Sequence, residues 1–98
     1  MGYCVYILYS PGLDKYYIGQ TENLQQRLDF HNNPVESRKF TAKGIPWMVK
    51  TVMPCPTKSQ ALMLEKFIKK MKSRAFLEKL ISSTALQNDL IKKFAPDC

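Results

Sequence analysis

Tyr6, Tyr17, Arg27, His31 and Glu65 are side chains whose types could do chemistry together. An arginine presents a planar fork of donors matched to phosphate oxygens. A glutamate is a hard oxygen ligand suited to Mg²⁺, which often accepts only one or two protein carboxylates beside waters and substrate phosphate. Tyrosine and histidine can exchange a proton, although a tyrosine begins near pKa 10 and needs a cation close by to act as a base at neutral pH. Taken singly, each residue has an ordinary explanation. Tyr6 and Tyr17 read as half-buried strand aromatics, Arg27 and Glu65 as solvated helix charges, and His31 as a surface or helix-end histidine. Glu65 could simply pair with Lys69 at i, i+4, which contributes a few tenths of a kcal/mol.

The elements that must position these residues follow from local pattern. Tyr3 to Tyr9 is an aromatic and β-branched run ended by Pro11-Gly12, hence a strand and a turn. Tyr16-Tyr17-Ile18 leads to Gly19, and so short a loop between the runs predicts an antiparallel hairpin in which Tyr6 and Tyr17 could meet. Thr21 or Asn23 can cap a helix in which Leu24 and Leu28 stack, with Arg27 and His31 on adjoining positions, ending near Asn32-Asn33-Pro34. A polar loop, Val35 to Pro46, carries Arg38, Lys39, Lys43 and Gly44. Trp47 to Met53 reads as a third strand stopped by Pro54 and Pro56. Thr57 and Gln60 fit a capping box opening the longest helix, where Ala61, Leu64, Ile68, Met71 and Ala75 recur at helical spacing and should face the sheet. Glu65 lies about 100° round from Leu64, at the edge of that stripe. Helical stretches over Ala75 to Ile81 and Thr84 to Phe94 follow. The expectation is an α+β fold, a three-stranded antiparallel sheet with the long helix on one face and the Leu24/Leu28 helix close by.

The chain has 98 residues, enough for one hydrophobic core and too few for a separate recognition domain. Its formal charge of +7, from 15 Lys+Arg against 8 Asp+Glu, points to a polyanionic partner. Cys4, Cys55 and Cys98 are odd in number, far apart and joined by a single histidine, which argues against both a disulfide framework and a zinc site. No apolar run approaches the roughly 18 residues that span a bilayer, and the N-terminus has no signal-like core, so the expected location is the reducing cytoplasm, with no membrane partner.

Order and spacing carry more than any single element: V-Y-I in the first strand, Y-I-G closing the second, T-x-N-L-x-x-R-L-x-x-H, then P-W, then A-L-M-L-E-K-F-I-K. From about Tyr3 to Leu80 this resembles the GIY-YIG nuclease family, and closely its small stand-alone members. The family's first motif falls on Cys4-Val5-Tyr6, with Cys4 in place of the first glycine, and its second matches in full at Tyr17-Ile18-Gly19. The resemblance implies Tyr6 as the family's tyrosine, Tyr17 as its second, Arg27 as its arginine, His31 as its helix histidine and Glu65 as its metal-binding glutamate. Thr51 stands where many small relatives have a tyrosine.

The resemblance implies one GIY-YIG-like domain over residues 1–98, with a core of about 3–80 and a C-terminal helical extension of about 81–98. Its implied activity is Mg²⁺- or Mn²⁺-dependent hydrolysis of DNA phosphodiesters, directed by backbone shape or structure rather than sequence, with DNA repair or recombination as the setting. Glu65 is the implied metal ligand, and Tyr6 or His31 the implied acceptor of the water proton. Gly19 would allow close packing beside the site, and Arg38, Lys39 and Lys43 are the candidate phosphate contacts. RNA is not excluded as a substrate. The alternative is a nucleic-acid-binding module of the same fold with little or no cleavage; loss of Arg27 or Glu65 would have argued for it, and both are present. A structural or protein-interaction role finds no support in the exposed lysines. The nuclease reading requires Tyr6, Tyr17, Arg27 and Glu65 to converge on one patch.

Overall fold

In the computed structural model, which describes residues 2–34 and 42–95, the aromatic N-terminal run forms β1 (Tyr3–Ser10) at the centre of an antiparallel sheet of order β2-β1-β3. β2 (Lys15–Thr21) returns directly from the Pro11–Asp14 turn, where Asp14 takes a positive φ of 52°. Arg74 holds that turn, donating from Nη1 to the Asp14 carbonyl at 2.9 Å and from Nη2 to Asp14 Oδ1 at 2.7 Å. Tyr9 donates its hydroxyl to the same carboxylate.

β3 (Met48–Cys55) pairs with the other side of β1, and the register skips Lys50 between the Ile7–Thr51 and Leu8–Val49 pairs, a β-bulge. The strand does not stop at Pro54, as the proline rule predicts, but continues through it to Cys55. β3 is an edge strand, where a residue without an N–H can be tolerated.

Val5, Tyr6, Ile7 and Leu8 are all buried, four in succession, because both faces of β1 are covered. Val5 and Ile7 enter one cluster with Met53, Ala61, Leu64, Ile68, Leu80 and Leu90. Tyr6 and Leu8 enter another with Trp47, Tyr17, Leu24 and Leu28.

The first cluster is roofed by α2 (Lys58–Met71), α3 (Arg74–Ser82) and α4 (Thr84–Lys93). Each begins at a hydroxyl N-cap: Thr57, Ser73 and Ser83 accept from the backbone N–H three residues on. The capping box at Thr57 is only half made. The Gln60 side chain turns inward and donates from Nε2 to the Ile91 carbonyl at 2.7 Å, tying α2 to α4. The predicted inward stripe also ends early: Lys72, in the left-handed conformation, terminates α2, so Met71 is 43% exposed and Ala75 lies exposed in α3.

The second cluster is covered by α1 (Leu24–His31). Asn23 is its N-cap, accepting from Gln26 N–H at 3.0 Å, while Thr21 accepts from Asn23 N–H. The Leu24/Leu28 helix therefore lies on the opposite face from α2. Apolar spacing identifies the side of α1 that is buried but does not say which sheet face receives it.

Candidate active site

Tyr6 sits at the middle of the central strand, directly across from Gly19 on β2. A Cβ added at Gly19 would lie 2.6 Å from Tyr6 Cζ, so only glycine leaves room for the phenol ring. Tyr17, opposite Leu8, is the diagonal neighbour on the same face, its ring stacked on Tyr6 with centroids 6.4 Å apart.

α1 delivers its last residue, His31, to this pair. The ring is 2% exposed, its Nε2 shares a hydrogen bond of 3.1 Å with the Tyr6 hydroxyl, and its centroid lies 4.6 Å from that of Tyr17. Burial first, and then the positive charge of Arg27, push the His31 pKa down to about 4. The imidazole is therefore neutral near pH 7, with one nitrogen as donor and one as acceptor. Its Nδ1 is buried and has no partner among the described residues.

The placement of His31 rests on the residue after it. Asn32 caps α1, its Oδ1 accepting from Trp47 N–H at 2.6 Å and its Nδ2 donating to the Trp47 carbonyl at 3.2 Å. The side chain substitutes for a strand partner at the start of β3. Trp47, 2% exposed, then lies edge-on to Tyr17 at 6.1 Å. Neither role was visible in the sequence; the only signals were the asparagine after a helix histidine and the P-W pair.

Arg27, one turn before His31, is exposed and extends over the Phe30 ring at 5.3 Å. Its guanidinium acts on the Tyr6 phenol through a side-chain hydrogen-bond interaction and its charge, both favouring the phenolate. Burial is the larger influence and, with Tyr17 and Glu65 on the same side of the balance, leaves Tyr6 pushed up to about 12.

Glu65 belongs to α2, beneath the other sheet face, yet its charge reaches Tyr6. It stands on the flank of α2 next to buried Leu64, and that flank meets the β2 edge. Lys69, one turn on, shows the same placement: its Nζ is 3.6 Å from Glu65 Oε1 and 6.0 Å from the centroid of Tyr17. Tyr6, Tyr17 and His31 thus form one contact cluster on the α1 side of the sheet, and Arg27 and Glu65 lie near enough for their charges to bear on the Tyr6 phenol.

Lys43 lies exposed in a single 3₁₀ turn, Ala42–Gly44, set against Trp47. A Cβ at Gly44 would come within 2.7 Å of Trp47 Cε2, so glycine allows that approach. Arg38 and Lys39 fall outside the described residues. Thr51 pairs with Ile7 and so faces the α2 side of the sheet, away from Tyr6.

No group of three or more His, Cys, Asp or Glu side chains that could hold a metal occurs among the described residues. The donor chemistry at Glu65 still fits a hard, largely hydrated cation, which takes a single carboxylate beside waters and phosphate. Cys4 and Cys55 are free thiols, and no described helix is long and apolar enough to cross a membrane.

A three-stranded antiparallel sheet between helices, with two tyrosines and a histidine in contact on one face and an arginine and a glutamate whose charges bear on them, is an arrangement suited to phosphodiester chemistry. The sequence model of the GIY-YIG catalytic domain matches residues 2–79, and the chain belongs to this nuclease family. The match stops within α3; α4 lies beyond it and still contributes Leu90 to the core. No curated protein and no solved structure gives a match. Membership implies a nucleic-acid substrate, and nucleases of this family generally depend on a divalent metal.

Proposed function

We propose that the protein is an Mg²⁺- or Mn²⁺-dependent endonuclease that hydrolyses DNA phosphodiesters, directed by backbone shape or structure, and that it serves DNA repair or recombination. The observation that supports this reading most is the setting of the Tyr6 hydroxyl: bonded to neutral His31, drawn on by Arg27, and within the field of Glu65.

Each residue then has a task. Arg27 grips a nonbridging phosphate oxygen and stabilises the charge that develops there. The Tyr6–His31 pair takes the proton of the attacking water. In the free protein Tyr6 stays protonated near neutral pH, and the neutral imidazole can receive the phenolic proton at Nε2 as the phenol accepts another. Tyr17 closes the remaining side of the phenol, and Gly19 keeps its space. Glu65 would hold the metal, which when bound neutralises phosphoryl charge and acidifies water. Lys43, with Arg38 and Lys39, supplies phosphate contacts that position the backbone.

The ion pair between Glu65 and Lys69 favours a second reading, a nucleic-acid-binding module in which the carboxylate is permanently neutralised. A labelled panel of linear, flapped and branched DNAs, each incubated with Mg²⁺, Mn²⁺ or EDTA, separates the two. The nuclease produces metal-dependent cleavage of at least one substrate. Salt-dependent binding with no product on any of them would establish the binding module.

A further inference from the structure

Among the lysines of α2, Lys69 differs from its neighbours. Lys66 and Lys70 line an apolar groove with Met63, Phe67 and Phe94, on the flank turned away from the site. Lys69 instead lies between Glu65 and Tyr17.

An i, i+4 pair of this kind is ordinarily a solvated helix feature. Two observations set this one apart. The Glu65 side chain is only 18% exposed and lies close enough to Tyr6 for its charge to be felt there, whereas that of Lys69 is 52% exposed. The ammonium also faces the ring of Tyr17, the tyrosine stacked on Tyr6. Lys69 is therefore the cation that neutralises the carboxylate proposed to hold metal, and it does so at the border of the catalytic cluster.

We propose that Lys69 is an exchangeable cation of this site: its ammonium occupies Glu65 in the metal-free protein and transfers to a substrate phosphate when a divalent cation takes the carboxylate. The inference rests on the nuclease reading above. Two positive charges cannot share one carboxylate without repulsion, so arrival of the divalent cation expels the ammonium. A lysine has three rotatable donors on a four-carbon stem and binds phosphate as a point charge, so it can move a few ångströms without disturbing the helix. The exchange leaves each anion with a cationic partner in both states and couples metal binding to substrate binding.

Two measurements that do not depend on activity test it, one without metal and one with Mn²⁺. DNA affinity in EDTA is compared for the wild type, Lys69→Met, Glu65→Gln and the double variant. While Glu65 holds it, Lys69 contributes little, so Lys69→Met changes affinity less than about twofold in the wild-type background. In the Glu65→Gln background the ammonium is released, and the same change weakens binding about fivefold, the attraction of unit charges at contact in water. Equal losses in both backgrounds would overturn the exchange. Lys66→Met, the same charge change on the far flank, shows no dependence on Glu65.

Mn²⁺ titration is then followed through paramagnetic broadening of the Glu65 amide in nuclear magnetic resonance spectra. Lys69→Met binds Mn²⁺ about fivefold more tightly than the wild type. Unchanged or weaker binding overturns the inference and leaves the nuclease reading intact if the wild type still broadens. Absence of Glu65-dependent broadening in the wild type removes the metal site and overturns both.

Discussion

His31 carries the clearest consequence at the scale of single residues. Its folded pKa, about 4, lies below the ordinary 6.5, so between these values the unfolded chain holds a proton that the folded protein does not. Stability is complete above about pH 6.5 and falls as pH drops towards 4, by on the order of 2–3 kcal/mol. Urea unfolding of wild type and His31→Phe from pH 7 to 4 checks this; the variant should lose the part of the slope that His31 supplies, and parallel curves would disprove its burial as a neutral base. For the same reason the cleavage rate should show no inflection between pH 6 and 7 attributable to His31. Gly19 is equally specific. Gly19→Ala drives a methyl into Tyr6, and the displaced ring should cost about 1–3 kcal/mol in chemical denaturation and most of the activity.

At the scale of elements, Asn32 joins the end of α1 to the start of β3. Asn32→Ala leaves the Trp47 N–H and carbonyl without that partner, which should destabilise the fold by about 1–3 kcal/mol and shift His31 away from Tyr6. The expected result is a folded protein with a lowered melting temperature and kcat reduced more than KM is raised; unaltered kinetics would show that α1 is positioned by Leu24 and Leu28 alone.

Much of this level was legible in the sequence. The N-cap at Thr21 or Asn23, which the structure gives to Asn23, the N-cap at Thr57, the hairpin at Pro11-Gly12 and the helix stop near Asn32-Asn33-Pro34 are local devices whose chemistry sits within a few residues. What escaped depends on distant partners. Pro54 stays in a strand because β3 lies at an edge, Gln60 abandons its cap because Ile91 offers a buried carbonyl, and Met71 is exposed because Lys72 ends the helix. The face that α1 covers is likewise a tertiary fact. The site residues were legible only jointly, through order and gaps, since Arg27 and Glu65 are carried by helices on opposite faces of the sheet and nothing local links them.

At the scale of the molecule, a charge of +7 on 98 residues makes nucleic-acid affinity strongly salt-dependent. Lys43→Ala should weaken DNA binding across sequences and lower the slope of log affinity against log salt by about one unit. An unchanged slope would remove Lys43 from the interface. The layered architecture puts Arg27 over one sheet face and carries Glu65 on a helix of the other, so the proposed phosphate clamp and the proposed metal ligand can act together only in the folded whole. Arg27→Ala should therefore impair both binding and cleavage, whereas loss of Glu65 should separate them. The most direct measurement is single-turnover cleavage of a DNA substrate by wild type and Glu65→Ala in Mg²⁺ or Mn²⁺, beside affinity by anisotropy in EDTA. Cleavage by the variant should fall by orders of magnitude while its affinity persists or rises, because a negative charge has left a phosphate-binding surface. A Glu65→Ala protein that cuts as fast as the wild type would contradict the mechanism outright.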